Sequence, residues 1–238
     1  MENKKGQIFL IPVPLGEDAD FLALSGWTKA LVDRLQFYVA ENAKSARKFL
    51  KQVGIPFPLQ EVQIEELNEH SNIKEIEHLL DPARRGHDMG LVSEAGCPGI
   101  ADPGAWLVQM AHKEGIRVVP IPGPSSIFLA LMSSGFNGQH FTFNGYLPKD
   151  TLERKKKIRE MERLAQSGIS QIFMDTPYRN EHVFQELVQT CQPQSLLCIA
   201  ADITLKEEWI KTSSIQHWSK QKPSLHKRPA IFILGRQA

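Results

Sequence analysis

Residues 91–104, LVSEAGCPGIADPG, combine the residue types of a ligand-binding loop. The apolar run ends in one carboxylate, Glu94, and glycine, proline and small residues follow it as far as Gly104. A turn of this composition between a strand and a helical pattern leaves backbone groups open to a ligand. The segment therefore predicts either a binding loop at a strand end or an ordinary glycine-rich connection.

Two further strand ends have the same composition. GQIFLIPVPLG ends in Pro12, Pro14 and Gly16, and VVPIPGPSS leads through residues 118–126 into the helical pattern IFLALMSS. Because the carboxyl ends of parallel strands meet at one edge of a sheet, the three loops predict a shared site. The patterns GxGxxG and GxxxxGK[ST] are absent, which argues against the usual dinucleotide and nucleoside triphosphate sites.

The first half of the chain alternates strand and helix patterns. Strands are predicted at Ile8–Val13, Gln36–Ala40, Glu61–Leu67, Met89–Ser93 and Arg117–Ile121, and helices at Ala23–Arg34, Lys44–Val53, Ile73–Leu80 and Ala105–Glu114. This rhythm predicts a mostly parallel sheet with helices on its faces.

The second half has a different pattern. Strands are predicted at Phe141–Tyr146, Gln171–Met174, Leu196–Ala201, Glu208–Thr212 and Ala230–Leu234, and helices at Leu152–Gln166 and Asn180–Thr190. The strands around residues 196–212 are close enough in sequence to be antiparallel, so this sheet is expected to be mixed. The fold class is therefore α/β, with two α/β domains at residues 1–122 and 123–238 that meet at a cleft.

Composition limits the classes of function. A net charge of +1 provides no global basic field, so any nucleic-acid contact must rest on local patches. The three cysteines form no CxxC or zinc-ligand spacing, which predicts a reduced, cytoplasmic protein with no metal site. No apolar run reaches the roughly 18–20 residues that a membrane span requires.

Six blocks follow one another in an order that carries a family resemblance: IPVPLG, AENAKSARKFL, LVSEAGCPGIADPG, VVPIPGPSS, FNGYLPKD and FMDTPYR. The chain resembles the tetrapyrrole methylase superfamily of S-adenosylmethionine-dependent methyltransferases from about Ile8 to Gly235. Within it the chain looks most like the branch that methylates the cytidine 2′-hydroxyl of 16S ribosomal RNA. The resemblance implies S-adenosylmethionine as cofactor, bound in the interdomain cleft, and a homodimer.

The resemblance also implies cofactor contacts, which would be made largely by the backbone. The implied cofactor-binding residues are Pro14, Glu94, Ala95, Gly96, Cys97, Ser125, Ser126, Met174, Asp175, Ala201, Pro229 and Ala230. Plain core packing is the alternative explanation for Met174, Ala201 and Ala230.

A ribose 2′-hydroxyl is a poor nucleophile, and a positioned base contributes on the order of 10²–10⁴ in rate. The predicted catalytic residues are Glu41, Glu69 and His70, with Glu94 as a further carboxylate in reach. The branch's Glu-Asp-Thr-Arg run is altered after Glu41, where Asn42 fits a helix N-cap better than a catalytic role.

The acceptor side departs further from the branch. Lys44 replaces an arginine and keeps its charge without the bidentate fork. The His-Glu-His-Asn run of the branch appears as Asn68, Glu69, His70 and Ser71. These changes leave cofactor binding intact as an inference and put the ribosomal RNA substrate in doubt.

Basic residues provide a second indication of the substrate. Lys155, Lys156 and Lys157 follow Arg154 on a predicted helix whose Ile158, Met161 and Leu164 would face the core, leaving the charges solvated. The run is either a solvated face or a set of phosphate contacts.

With Lys44, Tyr178 and Arg179, the three lysines form the predicted substrate set, for ribosomal RNA or the small ribosomal subunit. The alternatives are methylation of a tetrapyrrole or other small molecule, and a non-catalytic module that binds S-adenosylmethionine or RNA.

Overall fold

The computed structural model describes residues 4–16, 26–72 and 76–236. The chain divides into two compact units, residues 1–125 and 126–238. The division lies three residues beyond the position expected from the proline run. No helix of the described residues is long and apolar enough to cross a membrane.

The N-terminal unit contains a five-stranded parallel sheet. Its strands are β1 (Gln7–Ile11), β2 (Phe37–Ala40), β3 (Gln63–Glu66), β4 (Met89–Val92) and β5 (Arg117–Pro120), in the order β3-β2-β4-β1-β5. Its helices are α1 (Gly26–Val32), α2 (Ala43–Val53), α3 (Asp81–Arg84) and α4 (Gly104–Lys113). Short 3-10 helices span Leu59–Glu61 and Glu77–Leu80.

The two faces of this sheet are covered by different helices. Phe9 and Ile11 pack with residues of α1 and α2, whereas Ile8 packs with residues of α3 and α4. The helix after β4 therefore lies on the face opposite to the helices that follow its neighbours, β1 and β2. Ligand crevices of open α/β sheets form at the carboxyl edge of such strands.

The C-terminal unit contains the predicted mixed sheet. Its strands are β6 (Phe141–Tyr146), β7 (Ser170–Met174), β8 (Leu196–Ala201), β9 (Trp209–Ser214) and β10 (Ala230–Gly235), in the order β6-β7-β10-β8-β9. β6 and β7 are parallel, and the other neighbouring pairs are antiparallel. Its helices are α5 (Ser126–Ser134), α6 (Thr151–Gln166), α7 (Asn180–Thr190) and α8 (Ile215–Trp218).

Local signals explain most element boundaries. The Asn42 side chain caps α2 by accepting hydrogen bonds from the backbone N–H groups of Lys44 and Ser45, as predicted, and Gly54 ends the helix with a φ of 75°. The helix predicted over Ile73–Leu80 is wrong for residues 76–80, where a 3-10 turn leads into α3. Residues 73–75, and residues 23–25 of the predicted first helix, lie outside the described residues.

Candidate functional site

Hydrogen bonds join the three predicted loops at the carboxyl edge of the N-terminal sheet. Val13 and Gly96 exchange both backbone hydrogen bonds, at 2.9 and 3.1 Å, which ties the loop after β1 to the loop after β4. The Cys97 thiol donates to the carbonyl oxygen of Pro124 at 3.3 Å, which adds the loop after β5. The predicted convergence of the three strand ends is confirmed.

Two glycines are required by the close approach of these loops. Gly96 has a φ of +71°, and a Cβ there would lie 3.1 Å from Leu15 and 3.3 Å from the Pro124 carbonyl oxygen. A Cβ at Gly123 would lie 2.1 Å from the Pro12 ring, which cannot move away without moving the loop. Side chains at either position would therefore push the loops apart.

Asp102 shapes the loop after β4 from within. Its carboxylate accepts hydrogen bonds from the backbone N–H groups of Gly99 at 2.9 Å and Gly104 at 2.7 Å. Burial raises the pKa of Asp102, and the two backbone N–H groups oppose that shift by stabilising the anion. Because its oxygens are engaged in the turn, Asp102 has a structural role.

The loop after β4 leaves backbone donors open beside a pocket. The N–H groups of Ala95 and Cys97 have no hydrogen-bond partner among the described residues. A pocket of about 280 Å³ lies at the same edge, and Pro14, Ser45 and Glu94 are among the residues that line it. The pocket can receive a small ligand, and Ala95 and Cys97 belong to the same loop as Glu94 in its lining.

Carboxylates collect between the ends of β2 and β4. Ser45, in the first turn of α2, donates to Glu94 Oε2 at 3.0 Å. Partial burial raises the pKa of Glu41, and the carboxylates of Glu94, Asp102 and Glu69 raise it further. Glu41 is thus a stronger base than an exposed glutamate when it is ionised.

Glu69 and His70 lie on an exposed turn after β3. Their side chains are 83% and 85% exposed, with His70 Nε2 3.6 Å from Glu69 Oε1. The turn is closed by Asn68, whose Oδ1 accepts from the His70 N–H, and by Ser71, whose Oγ accepts from the Asn68 N–H. The two residues that depart from the RNA branch therefore shape this turn. Lys44, at the start of α2, is also exposed.

In the C-terminal unit, Met174, Ala201 and Ala230 lie at one end of three neighbouring strands. Ala230 pairs with Ala201, and Ile231 pairs with Met174. Ala201 and Ala230 are buried, Met174 is half-buried, and Pro229 is exposed and accepts a hydrogen bond from the Asp202 N–H at 2.9 Å. Ser125 and Ser126, on either side of the division between the units, are both half-buried.

Two buried acceptors beside this strand end have no partner among the described residues. They are Oδ2 of Asp175 and Oδ1 of Asn180. The other Asp175 oxygen accepts from the Thr176 N–H at 2.7 Å and lies 3.3 Å from the Arg179 guanidinium, while the Asn180 amide donates to the Arg228 carbonyl. A buried acceptor without a donor is costly, so these atoms are suited to a ligand that brings N–H or O–H groups.

Helix α6 carries the predicted basic run. Lys156 is exposed, and Lys155 and Lys157 are half-exposed, but the prediction that Arg154 is solvated is wrong. The Arg154 side chain is only 3% exposed and forms a bidentate pair with Glu186 of α7. It also donates to the carbonyl oxygens of Pro148 and Lys149, so it fixes the turn that leads into α6.

We expect Arg154→Met to lower the free energy of unfolding by about 3–5 kcal/mol, because it leaves Glu186 charged and buried without its partner. The exposed Arg159→Met is the matched control and should change stability by less than about 0.5 kcal/mol. Urea unfolding of both variants measures the difference. Equal urea midpoints for the two variants would show that the Arg154–Glu186 pair contributes nothing to stability.

The same pair has a pH signature. Arg154 lowers the pKa of Glu186 from its ordinary 4.5. The stabilisation by the Arg154–Glu186 pair is therefore complete above pH 4.5, and it is lost as the pH falls through the lowered pKa of Glu186. The stability difference between the wild type and Arg154→Met should narrow below about pH 4.5.

Tyr178 and Arg179 have different environments. Tyr178 is 72% exposed, whereas the Arg179 guanidinium is held by Asp175 and by the Pro148 carbonyl oxygen at 3.3 Å. Tyr178 can therefore contact a substrate directly, whereas Arg179 stabilises the local structure around Asp175.

The sequence did not reveal several of these features. The bond from Ser45 to Glu94 and the Arg154–Glu186 pair join residues that are distant in sequence, and the unpaired Oδ1 of Asn180 results from burial. Asp102 alone had a local signal, since Asp beside Pro and Gly is typical of side chains that close turns.

A family model, Tetrapyrrole (Corrin/Porphyrin) Methylases, matches residues 19–217. Among curated proteins, the chain is 29% identical to ribosomal RNA small subunit methyltransferase I of Buchnera aphidicola, over 98% of this chain and 79% of that protein. It is 30% identical to the protein of the same name from Thermotoga maritima, over 92% of this chain and 94% of that protein.

Two solved structures have the same fold. The methyltransferase CobJ superposes with a TM-score of 0.65 at 17% identity, covering 98% of this chain and 95% of CobJ. The cobalt precorrin-4 methyltransferase CbiF superposes with a TM-score of 0.62 at 13% identity, covering 96% and 94%. At these identities the likeness concerns the fold alone.

Proposed function

The chain belongs to the tetrapyrrole methylase family, and from this premise we propose that it transfers a methyl group from S-adenosylmethionine to a ribose 2′-hydroxyl of small-subunit ribosomal RNA. The observation that carries the proposal is similarity over nearly the whole chain to proteins named ribosomal RNA small subunit methyltransferase I. Methylation of a tetrapyrrole is the weaker alternative, because the family model carries that name but the curated relatives that match nearly the whole chain are named as ribosomal RNA methyltransferases.

Each unit, taken by itself, offers groups that fit part of S-adenosylmethionine. The open N–H groups of Ala95 and Cys97 suit the acceptor atoms of the cofactor, in the loop that Pro14, Glu94 and Gly96 build. The unpaired Asp175 Oδ2 suits a hydroxyl or amino group of its adenosine or amino-acid part. Ala201 and Ala230 are buried in the core at the same strand end as Met174, and the exposed Pro229 precedes Ala230. When bound, the cofactor supplies an electrophilic methyl group.

Glu41 is the proposed general base. As the 2′-oxygen forms its bond to the methyl carbon and the carbon–sulfur bond breaks, the hydroxyl proton moves to the Glu41 carboxylate. Its raised pKa suits that task, and Ser45 donates a hydrogen bond to the neighbouring Glu94 carboxylate. We assign Glu69 and His70, which are exposed on the adjacent turn, to orienting the RNA near this proton transfer.

RNA would be held mainly by exposed cations and one aromatic ring. Lys155, Lys156 and Lys157 on α6 suit phosphates, Lys44 lies beside the carboxylate edge, and the exposed ring of Tyr178 can stack on a base. With ribosomal RNA as substrate the enzyme works in the cytoplasm, which agrees with its three free cysteines.

The test is incubation with methyl-labelled S-adenosylmethionine and either small ribosomal subunits or their free RNA, followed by nuclease digestion. The label should appear in a 2′-O-methylated nucleoside. Label on a base would refute the proposed acceptor. So would label that appears in an added tetrapyrrole but in neither RNA preparation.

We also propose that the enzyme is a homodimer. Phe128 and Met132 on α5 and Tyr146 on the edge strand β6 are large apolar side chains exposed by 56%, 79% and 57%. Large apolar side chains left exposed on one unit favour association with a second copy. Light scattering should give a mass twice the 26.9 kDa of the chain, and a mass equal to that of one chain would contradict the dimer.

A further inference from the structure

Residues 217–228, which we call the basic loop, form a second concentration of positive charge. The segment HWSKQKPSLHKR contains Lys220, Lys222, Lys227, Arg228 and two histidines, and no aspartate or glutamate. It runs from the end of α8 towards β10, in the same unit as α6. Because the whole chain has a net charge of only +1, this excess of positive over negative residues is a local feature of the segment.

Specific bonds fix the path of the basic loop. The Arg228 guanidinium donates to the carbonyl oxygens of Ser224 and Glu207 at 3.0 and 2.6 Å and pairs with Asp202. The Lys227 N–H donates to the Pro177 carbonyl oxygen at 3.2 Å. Arg228 therefore stabilises the conformation of the loop, whose backbone holds the lysines in fixed positions.

The remaining cations are available to a partner. Lys220, Lys222 and Lys227 are exposed, and none of them is in an ion pair with another described residue; the His226 ring is also exposed. The Lys227 ammonium lies 6.0 Å from the centre of the Tyr178 ring, and the His226 ring meets it edge-on at 6.5 Å. An exposed aromatic ring beside unpaired cations is the combination that single-stranded nucleic acids bind.

A groove runs beside the basic loop. It has a volume of about 650 Å³ and is lined on one side by α7 and on the other by residues 218–224. Its lining includes the side-chain amides of Gln185 and Gln189, with Glu181 as its one carboxylate. The amide of Gln221, also in the lining, is bonded to Lys211 and His217. Amide groups can pair with base edges, and the volume lies within the roughly 300–1,000 Å³ of small-ligand sites.

Helix α7 separates the two basic elements. One side of it contacts α6 through the Arg154–Glu186 pair, and the other side lines the groove through Glu181, Gln185 and Gln189. An α-helix with its side chains is about 10–12 Å across. One RNA segment that contacts both elements would therefore have to cross α7.

We propose that the basic loop and Tyr178 form a second RNA-binding surface, which holds an unpaired segment of the substrate on the side of α7 away from α6. Lys220, Lys222 and Lys227 contact its phosphates, and the Tyr178 ring stacks on a base. This inference rests on the proposed function. An acidic protein would match the charge but not the exposed ring or the amide-lined groove.

Three triple variants with equal loss of charge test the proposal. The loop variant carries Lys220→Gln, Lys222→Gln and Lys227→Gln, and the helix variant carries the same change at Lys155, Lys156 and Lys157. The control carries Lys4→Gln, Lys113→Gln and Arg117→Gln, which are exposed near the amino ends of the N-terminal strands. Binding of free small-subunit RNA and of assembled subunits is measured across a salt series.

The loop variant should bind free RNA about tenfold more weakly and lower the slope of log affinity against log salt by about 2–3, whereas the control changes neither. Tyr178→Leu should weaken binding about fivefold or more at an unchanged slope, because stacking releases no counterions. Affinity for S-adenosylmethionine should stay the same in all of them.

The outcomes separate the two hypotheses. A loop variant equal to the control, while the wild type methylates RNA and the helix variant is impaired, overturns the second surface alone. Loss of binding to assembled subunits but not to free RNA would also overturn it, by identifying a protein contact. A wild type that neither binds nor methylates ribosomal RNA overturns the proposed function and this surface with it.

Discussion

Replacing Gly96 by valine is expected to abolish binding of S-adenosylmethionine, with a loss of affinity of about 100-fold or more. The backbone there has a φ of +71°, which a β-branched residue adopts only with strain. The added side chain would also meet Leu15 and the Pro124 carbonyl oxygen, so it would displace the loops after β1 and β5. Titration calorimetry measures the loss directly.

Two further variants separate strain from displacement of the loops. Gly99 has a φ of +83° with open space around its Cβ position, so Gly99→Val carries similar strain and should keep most of the affinity. Gly123→Ala carries no positive-φ strain but brings a Cβ against Pro12, so it should lose affinity as Gly96→Val does. Unchanged binding in folded Gly96→Val and Gly123→Ala would place the cofactor away from these loops.

Local sequence signals were sufficient to predict the strands and the edge of the sheet where the candidate site lies. Apolar runs ending in proline and glycine marked the ends of β1, β4 and β5, and parallel pairing then brings those ends together whatever the details of packing. The Asn42 cap was equally visible, because its bonds reach only two and three residues ahead.

Features that depend on distant partners were not visible. Arg154 belongs to a charged run that is typical of a solvated helix face, and only the packing of α7, with Glu186 at 32 residues' distance, makes it a buried structural residue. The family resemblance marked Asp175 as a cofactor contact and did not mark Asn180, and neither position in DTPYRN shows that burial leaves one acceptor on each residue without a donor. Burial and pairing between elements, rather than residue type, assign these roles.

Burial also ranks the candidate bases. Glu69 and His70 matched a partial motif, but both side chains lie in solvent, where a carboxylate or imidazole gains little basicity or positioning. Glu41 is partly buried among other carboxylates, so its environment rather than its motif favours it. Neutralising each of these residues in turn should therefore have very different effects on the rate.

Glu41→Gln is expected to lower kcat for RNA methylation by about 10²–10⁴-fold while leaving the affinity for S-adenosylmethionine unchanged. The base must be ionised, so the wild-type rate should rise with pH through a pKa above the ordinary glutamate value of 4.5, and the glutamine variant should lack that rise. Glu65→Gln, exposed on β3, is the control, and Glu69→Gln and His70→Gln should change substrate binding more than kcat. A Glu41→Gln enzyme with wild-type kcat and an unaltered pH profile would exclude Glu41 as the base. A kcat loss confined to the His70 variant would transfer the role to that imidazole.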